Sequence, residues 1–273
     1  MKPLEFLADV LPSPGHGMYC LAELSTKRKE HHFVATLEEF KPHVKRWLSE
    51  KKNIFFTPCT YDAQAIQGKT RGRRTQKNSR FVKTMFLDLD GYASKKDAAQ
   101  ALETFLAKTG LDQFANPHVL SSGGGLHCYW PLTVEADIDT WKPIAENFKR
   151  LCRQENMRID MTVTADSSRF LRIPGTFNFK DKYPEPRPVK VLLQSGGPID
   201  LLHFGAVVRS LLTDAYAPVS NGFAGGTLDG TRPSKAPTKR SKLAEAMLGN
   251  SVTRFETIWL KSEKDMGCGQ LKF

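Results

Sequence analysis

The chain has 273 residues, 40% of them hydrophobic, which is enough for one globular domain with a tail or for two small domains. No stretch of 18 apolar residues and no long apolar N-terminal run is present, so a membrane span and a secretory signal are not expected. The net charge of +11 predicts a polyanionic partner.

In the first part of the chain, a helix is predicted over about 37–50. A capping box of Thr36 and Glu39 precedes it, and its apolar residues recur at helical spacing. A buried strand is expected over 53–57, followed by a polar loop over 62–80.

The middle of the chain is predicted to contain a strand over 82–89 and then a helix that Ser94 caps and Gly110 ends. Strands over 117–121 and 127–130 flank a run of glycines and are expected to pair as a hairpin.

A helix over about 140–154, strands near 168–173 and 188–194, and a helix over 199–212 complete the compact part. Because the hairpin strands are adjacent rather than joined by a crossover, the pattern predicts an α+β fold with a largely antiparallel sheet. Beyond it, a composition rich in Gly, Pro, Ser and Lys predicts a linker.

The five cysteines favour a reducing compartment. They are scattered, odd in number and outside the CxxC spacing of metal sites, so neither a disulfide framework nor a zinc site is expected. We therefore predict free thiols and a cytoplasmic protein.

Positive charge is concentrated in two runs, 69–83 and 232–242, each of which contains no acidic residue. Such runs are typical of contacts with phosphate groups. The candidate nucleic-acid-binding residues of the first run are Arg71, Arg73, Arg74, Lys77 and Arg80.

Two carboxylates end the strand predicted over 82–89. Asp88 and Asp90 alternate along it, so they project from one face, roughly 6–7 Å apart at Cα. Paired carboxylates at the end of an apolar strand are costly unless a cation joins them. Although Asp90 before Gly91 also suits a turn, Asp88 does not, and the pair predicts a divalent metal that handles phosphates.

A glycine-rich turn follows at 122–127. Successive glycines let a backbone approach a ligand closely and turn its N–H groups inward, while serine and histidine add donors. A flexible hairpin tip is the alternative. The candidate nucleotide-binding residues of this turn are Ser122, Gly123, Gly124, Gly125 and His127.

A third acidic segment, over 159–178, contains two acids followed by two arginines. A further carboxylate would complete a two-metal site, and we prefer Asp160 as that ligand, with Asp166 as the fallback because spacing alone does not decide. Arg169 and Arg172 are candidates to bind triphosphate oxygens.

In this order, the three segments resemble the archaeo-eukaryotic primase superfamily, and most of all the primase-polymerase domains of phage and plasmid replication proteins. That family uses a hydrophobic-Asp-x-Asp strand, a Ser/Gly-rich turn ending in His, and a later hydrophobic-Asp. The matching residues are Asp88 and Asp90, the turn at 122–127, and Asp160. The run Arg-Phe-Leu-Arg-Ile-Pro-Gly-Thr-Phe-Asn at 169–178 also fits.

The resemblance covers about 35–200 and implies a primase-polymerase catalytic domain over 1–212. We expect that domain to combine an RRM-like antiparallel sheet with an N-terminal αβ unit. A flexible basic linker over 213–241 and the start of a small helical segment over 242–273 are expected to follow.

The resemblance also implies a two-metal mechanism. Asp88, Asp90 and Asp160 would hold two Mg²⁺ or Mn²⁺ ions, and the turn with Arg169 and Arg172 would hold dNTPs or NTPs. The basic loop would bind a single-stranded DNA template. No P-loop is visible, so a replicative helicase is expected on another chain or beyond the end.

Two other classes of function remain open. A haloacid-dehalogenase-like phosphatase would use Asp88 as its nucleophile, but Tyr92 departs from its usual motif and the glycine turn has no role there. A non-catalytic nucleic-acid-binding replication factor would keep the fold without the chemistry. His31 and His32 hint at a nicking enzyme, but we interpret them as exposed histidines of a polar loop.

Overall fold

The computed structural model describes residues 1–25, 29–69 and 71–213. The predicted linker over 213–241 lies outside these residues except for its first position, and the predicted helical segment over 242–273 lies wholly outside them. The domain boundaries therefore stay predictions.

Helices and strands alternate irregularly along the described chain. In chain order they are α1 (Pro3–Val10), β1 (Tyr19–Glu23), β2 (Glu30–Val34), α2 (Phe40–Ser49), β3 (Ile54–Phe56), β4 (Cys59–Tyr61), α3 (Ala63–Ile66), β5 (Ser79–Leu89), α4 (Lys95–Thr109), β6 (His118–Ser121), β7 (Leu126–Asp137), α5 (Ile138–Gln154), β8 (Leu171–Arg172), β9 (Phe177–Asn178), β10 (Arg187–Pro188), β11 (Lys190–Leu193) and α6 (Leu201–Leu211).

Two antiparallel sheets organise these elements. A central five-stranded sheet has the order β11-β6-β7-β5-β4, and an N-terminal four-stranded sheet has the order β2-β1-β3-β8. The strand β8 lies in the third acidic segment, after both of its acids. It pairs with β3 and so brings that part of the sequence back to the N-terminal sheet. The predicted α+β class with antiparallel sheets is confirmed.

Local signals explain where the helices begin and end. The Ser94 hydroxyl accepts the Asp97 N–H at the start of α4, and Gly110 ends that helix at φ +70°, as its sequence predicts. The helix predicted over 37–50 begins later, at Phe40, which puts Pro42 in its first turn, where a proline is tolerated.

The core lies between the central sheet and its helices. From α5, the Trp141 side chain is buried and its indole N–H donates to the Thr84 carbonyl of β5 at 3.0 Å. Phe148 of the same helix packs edge to face on Phe204 of α6, with ring centroids 5.0 Å apart. The helical spacing of apolar residues in α5 therefore reflects core packing.

The N-terminal region contains elements that the sequence did not reveal. Helix α1 and strands β1 and β2 precede the first predicted helix. The interpretation of His31 and His32 as exposed loop residues is wrong, because both lie in β2 and are partly buried. Their strand is short and polar, so it lacks the apolar alternation that identifies strands in a sequence.

Four of the cysteines are buried free thiols, namely Cys20, Cys59, Cys128 and Cys152. No helix in the described ranges combines the length and the apolar character that a membrane crossing requires.

Candidate active site

The acidic end of β5 lies beside β7 and the third acidic segment. Asp88 is opposite His127 in the β5–β7 register, and its Oδ1 is 3.6 Å from Nε2 of that histidine. The backbone N–H of Asp160 donates to the Asp88 carbonyl at 2.8 Å. Asp90 follows the strand, is exposed, and accepts the Gly91 N–H. Asp88 and Asp160, 72 positions apart in sequence, are thus neighbours here.

The charges around Asp88 are not balanced. Burial raises the pKa of this carboxyl, and the negative charges of Asp160 and Asp90 raise it further, while His127 and Lys180 act in the opposite direction. Burial lowers the pKa of His127, which favours its neutral form. An additional cation beside Asp88 would therefore be stabilising.

The two candidates for the third carboxylate differ in position. Asp160 Oδ1 accepts the N–H and the hydroxyl of Thr162 at 2.8 and 2.7 Å. Although partial burial raises the pKa of Asp160, these hydrogen bonds outweigh it and the pKa is lowered. Asp166 instead accepts the amide and hydroxyl of Ser168 and the side-chain amide of Gln76. The position beside Asp88 favours Asp160 over Asp166.

These carboxylates fit a divalent metal in chemistry but not in their present orientation. No three His, Cys, Asp or Glu side chains within residues 1–25, 29–69 and 71–213 form a group that could hold a metal ion. Carboxylate oxygens are the ligands that Mg²⁺ and Mn²⁺ prefer. Asp90 and Asp160 would have to turn from their present hydrogen-bond partners, so the two-metal site stays a prediction.

The glycine turn between β6 and β7 packs against the protein itself. A Cβ on Gly125 would collide with the Leu89 carbonyl, and one on Gly124 would lie 2.6 Å from the Tyr183 hydroxyl. The Gly125 N–H donates to the Ser122 hydroxyl at 3.1 Å. Close approach explains these glycines without a ligand, and their nucleotide-binding role stays a prediction.

Three polar side chains stabilise the glycine turn through hydrogen bonds. The Asn178 side-chain N–H donates to the Ser122 carbonyl at 3.0 Å, and Arg172 Nη2 donates to the Asn178 oxygen at 2.8 Å. Arg187 Nη1 donates to the Gly123 carbonyl at 3.4 Å. Gly123 itself has φ +81°, and a Cβ there would lie 2.7 Å from Asn178 Cβ.

The two arginines of the third acidic segment have different environments. Arg172 is buried, and Asn53 and Asn178 both accept hydrogen bonds from its guanidinium group. Arg169 is partly exposed and donates to the Thr162 hydroxyl at 3.1 Å, which places its charge beside Asp160. Of the two, Arg169 is the more accessible to a phosphate, whereas Arg172 supports the turn.

The candidate nucleic-acid-binding residues divide into two groups. Arg71 and Lys77 are exposed, and Arg80 is exposed with Nη1 3.8 Å from the Asp62 carboxylate. Arg73 and Arg74 are partly buried and lie over the rings of Phe33 in β2 and of Phe170, which directly precedes β8. The basic loop is therefore anchored to that sheet at two of its arginines.

Sequence reasoning overlooked two residues of this site. Asn178 connects Arg172 to the glycine turn, and Lys180 acts on the charges of both Asp88 and His127. Asn178 belongs to the run at 169–178 that carries the family resemblance, so the signal was present. Its hydrogen bond to Ser122 depends on a contact between positions 56 residues apart.

Comparison with known proteins identifies the fold. No protein-family profile and no curated protein matches the chain. The archaeo-eukaryotic primase (AEP) domain of the cyanophage S-2L primase-polymerase is similar at a TM-score of 0.53 and 15% identity, over 75% of this chain and 95% of that one. The described chain has an archaeo-eukaryotic primase-type fold. The primase RepB′ is similar at a TM-score of 0.47 and 13% identity, over 72% of this chain and 58% of that one.

The archaeo-eukaryotic primase-type fold confirms the resemblance that the three motifs predict. At 15% identity, however, the similarity extends to the fold and not to individual residues. The roles of Asp88, Asp90, Asp160 and the glycine turn must therefore be argued from their own environments.

Proposed function

We propose that the chain is a DNA-dependent primase-polymerase that makes or extends primers on single-stranded DNA in phage or plasmid replication. The observation that supports this most is the position of Asp88, beside Asp160 and Asp90 and in a fold of the archaeo-eukaryotic primase type. The cyanophage protein of this fold is named a primase-polymerase.

Each acidic residue has a role in the proposal. Asp88, Asp90 and Asp160 would hold two Mg²⁺ or Mn²⁺ ions, which when bound lower the pKa of a 3′-hydroxyl and neutralise a leaving pyrophosphate. Asp88 is oriented by its strand and by the His127 ring. The Thr162 hydrogen bonds hold the Asp160 carboxylate beside β5 in the absence of substrate, and the carboxylate would turn toward the ions when they bind.

The nucleotide is proposed to lie between the glycine turn and Arg169. The partly exposed guanidinium of Arg169 would pair with triphosphate oxygens, as arginine does bidentately. Arg172, through Asn178, keeps the turn in place, and Ser122 to His127 would line the pocket. The substrates are dNTPs, NTPs or both, and a replicative helicase on the same or another chain would supply the unwound template.

Asp88→Asn tests the proposal in an assay of primer synthesis and extension with single-stranded DNA, Mn²⁺ and labelled dNTPs or NTPs. The loss of one metal-binding charge costs a few kcal/mol in the transition state, so we expect incorporation to fall by at least about 100-fold. Asp112→Asn, an exposed acid far from β5 in sequence, is the matched control and should keep full incorporation.

Other outcomes of this assay would refute the proposal. Unchanged incorporation in the folded Asp88→Asn variant would remove Asp88 from catalysis. A phosphoryl-enzyme at Asp88 formed from a small phosphate monoester, without polymer, would identify a phosphatase. Metal-independent binding of DNA without any incorporation by the unaltered protein would identify a non-catalytic replication factor.

A further inference from the structure

One face of the N-terminal sheet is aromatic and is not covered by its helices. The other face packs on them, since Phe56 of β3 contacts Phe6 of α1 and His32 of β2 contacts Trp47 of α2. Side chains alternate along strands, so the neighbours of these residues point away from the helices. We call this surface the aromatic face, formed by His31, Phe33, Phe55 and Phe170.

The phenylalanines of the aromatic face are partly exposed and close together. The Phe55 and Phe170 ring centroids are 6.1 Å apart, and His31 lies 5.2 Å from Phe170. Phe33 belongs to β2, the edge strand of the sheet. On this face Cys20 and Ala22 of β1 lie between the β2 residues and Phe55 of β3, and Phe170 directly precedes β8.

A guanidinium group lies over each phenylalanine of this face. Arg73 is 4.8 Å from the centroid of Phe33, and Arg74 is 4.1 Å from that of Phe170. The buried Arg172 lies 4.6 Å from the centroid of Phe55. The partly exposed guanidinium groups of Arg73 and Arg74 offer flat surfaces for nucleobases and donors for phosphate at the same place, whereas the buried Arg172 does not.

Positive charge accumulates at this face around His31. Burial lowers the pKa of His31 to about 4, and the cations with the largest effect in the same direction are Arg74, Arg73 and Lys29. The buried atoms His31 Nε2 and Arg74 Nε have no hydrogen-bond partner in the described part of the chain. These two atoms are buried, and it is the cations Arg74, Arg73 and Lys29 around them that suit an anionic ligand.

The aromatic face continues into the candidate active site. Arg172 stacks on Phe55 and also donates to Asn178, which donates to the Ser122 carbonyl of the glycine turn. Arg172 therefore links the face, through buried side chains, to the glycine turn that precedes His127 beside Asp88. This continuity, together with the charge, separates the face from an ordinary aromatic cluster.

We propose that the aromatic face binds an unpaired nucleic-acid strand, with bases stacked on its partly exposed phenylalanine rings and phosphates paired with Arg73 and Arg74. This inference rests on the proposed function, for which it supplies the path of the template. Stacking of this kind tolerates any base sequence, because every base has a flat face.

The test is the binding of fluorescently labelled oligothymidylate and oligouridylate to the full chain without metal or nucleotide, followed by fluorescence anisotropy over a range of salt. Phe55→Leu and Phe170→Leu should each weaken binding by about tenfold while leaving the salt dependence unchanged. Arg73→Gln and Arg74→Gln should each reduce the slope of log affinity against log salt by roughly one.

Matched controls are Phe114→Leu, which alters a ring packed on α6, and Arg209→Gln, an exposed arginine of that helix. Thermal unfolding establishes that each variant is folded. If an inner phenylalanine variant fails to fold, Phe33→Leu at the edge strand gives the same measurement. Weakened binding of either polymer in the phenylalanine variants supports the proposal, and the polymer affected shows whether the strand is DNA or RNA.

Folded phenylalanine variants that bind both polymers as tightly as Phe114→Leu would overturn the inference. That failure is distinguishable from failure of the proposed function, because binding is measured without catalysis. If incorporation depends on Asp88 but binding is unaffected in the phenylalanine variants, the proposed function is supported and the role of the aromatic face is refuted. Weakened binding in these variants, without any incorporation by the unaltered protein, would support the role of the aromatic face and refute the proposed function.

Discussion

The two sheets of the molecule carry opposite chemistry. At the end of β5 the central sheet carries carboxylates, and the pKa of Asp88 is raised by burial and, to a lesser extent, by the negative charges of Asp160 and Asp90. The N-terminal sheet presents aromatic rings covered by guanidinium groups, and His31 there is lowered in pKa. A net charge of +11 therefore conceals a local excess of negative charge in one sheet and of positive charge in the other.

The difference shows how one small fold can separate two tasks. Carboxylates attract cations and repel phosphates, so a nucleic-acid strand cannot be held by them alone. Cations on a neighbouring sheet supply the attraction at a distance from the acids. Arg172 connects the two, since it stacks on Phe55 of the N-terminal sheet and bonds to Asn178 behind the glycine turn.

The largest expected effect concerns the third carboxylate beside the central sheet. Asp160→Asn keeps an oxygen for Thr162 but removes the charge beside Asp88, so we expect nucleotide incorporation to fall by at least about 100-fold. Asp166→Asn is the matched variant, and its incorporation should stay within about threefold of the unaltered protein because Asp166 bonds to Ser168 and Gln76. Rates measured at saturating nucleotide compare the two.

The reverse result would change the site. If Asp166→Asn abolished incorporation while Asp160→Asn retained it, the third carboxylate would be Asp166, which bonds to Gln76 of the basic loop, rather than Asp160, which lies beside β5. Equal losses in both variants, with unfolding at a lower denaturant concentration, would indicate a structural role for the whole segment instead.

Local signals explain which parts of the fold were predictable. Ser94 and Gly110 bound α4 because a cap and a left-handed glycine act within one helical turn. The alternation of Asp88 and Asp90 is equally local, and it located the acidic end of β5. Each of these inferences needs only a few consecutive residues.

Features that depend on distant contacts were not predictable. Strand β2 was missed because its polar residues face Trp47 on one side and the basic loop on the other. The choice between Asp160 and Asp166 required knowing which backbone N–H meets the Asp88 carbonyl. The glycines suggested a ligand, while their closest neighbours are Leu89, Asn178 and Tyr183, far away in sequence.

A smaller effect tests the connection between the sheets. Arg172→Met removes hydrogen bonds to Asn53 and Asn178 from a buried position, so the free energy of unfolding should fall by about 2–3 kcal/mol. Arg172→Lys keeps the charge but cannot reproduce the planar pair of donors, and an intermediate loss is expected. Urea unfolding monitored by tryptophan fluorescence measures both.

Arg209→Met, at an exposed position of α6, is the control for this substitution and should change stability by less than about 0.5 kcal/mol. If Arg172→Met were as stable as this control, Arg172 would not connect the sheets energetically. Its contact with Phe55 would then be a consequence of packing rather than a support of the glycine turn.

The smallest expected effect concerns a pair of hydrogen bonds, here called the tie, that connects the N-terminal segment to β7. The Glu135 carboxylate accepts the amide and the hydroxyl of Ser13 at 2.8 and 2.5 Å. Although burial raises the pKa of Glu135, these hydrogen bonds outweigh it and lower the pKa to about 2. The unfolded chain has an ordinary value of about 4.3, so ionised Glu135 stabilises the fold above that pH.

This stabilisation should disappear as the pH falls through about 4 toward 2, because the folded state then binds the proton that the unfolded state already holds. In Glu135→Gln the titrating group is absent. The difference in free energy of unfolding between the two proteins should therefore be greatest near neutral pH and shrink steadily in acid, in urea titrations at successive pH values. A difference that is constant over this range would mean that the Ser13 hydrogen bonds do not depend on the charge of Glu135, and that the tie between the two regions is one of packing alone.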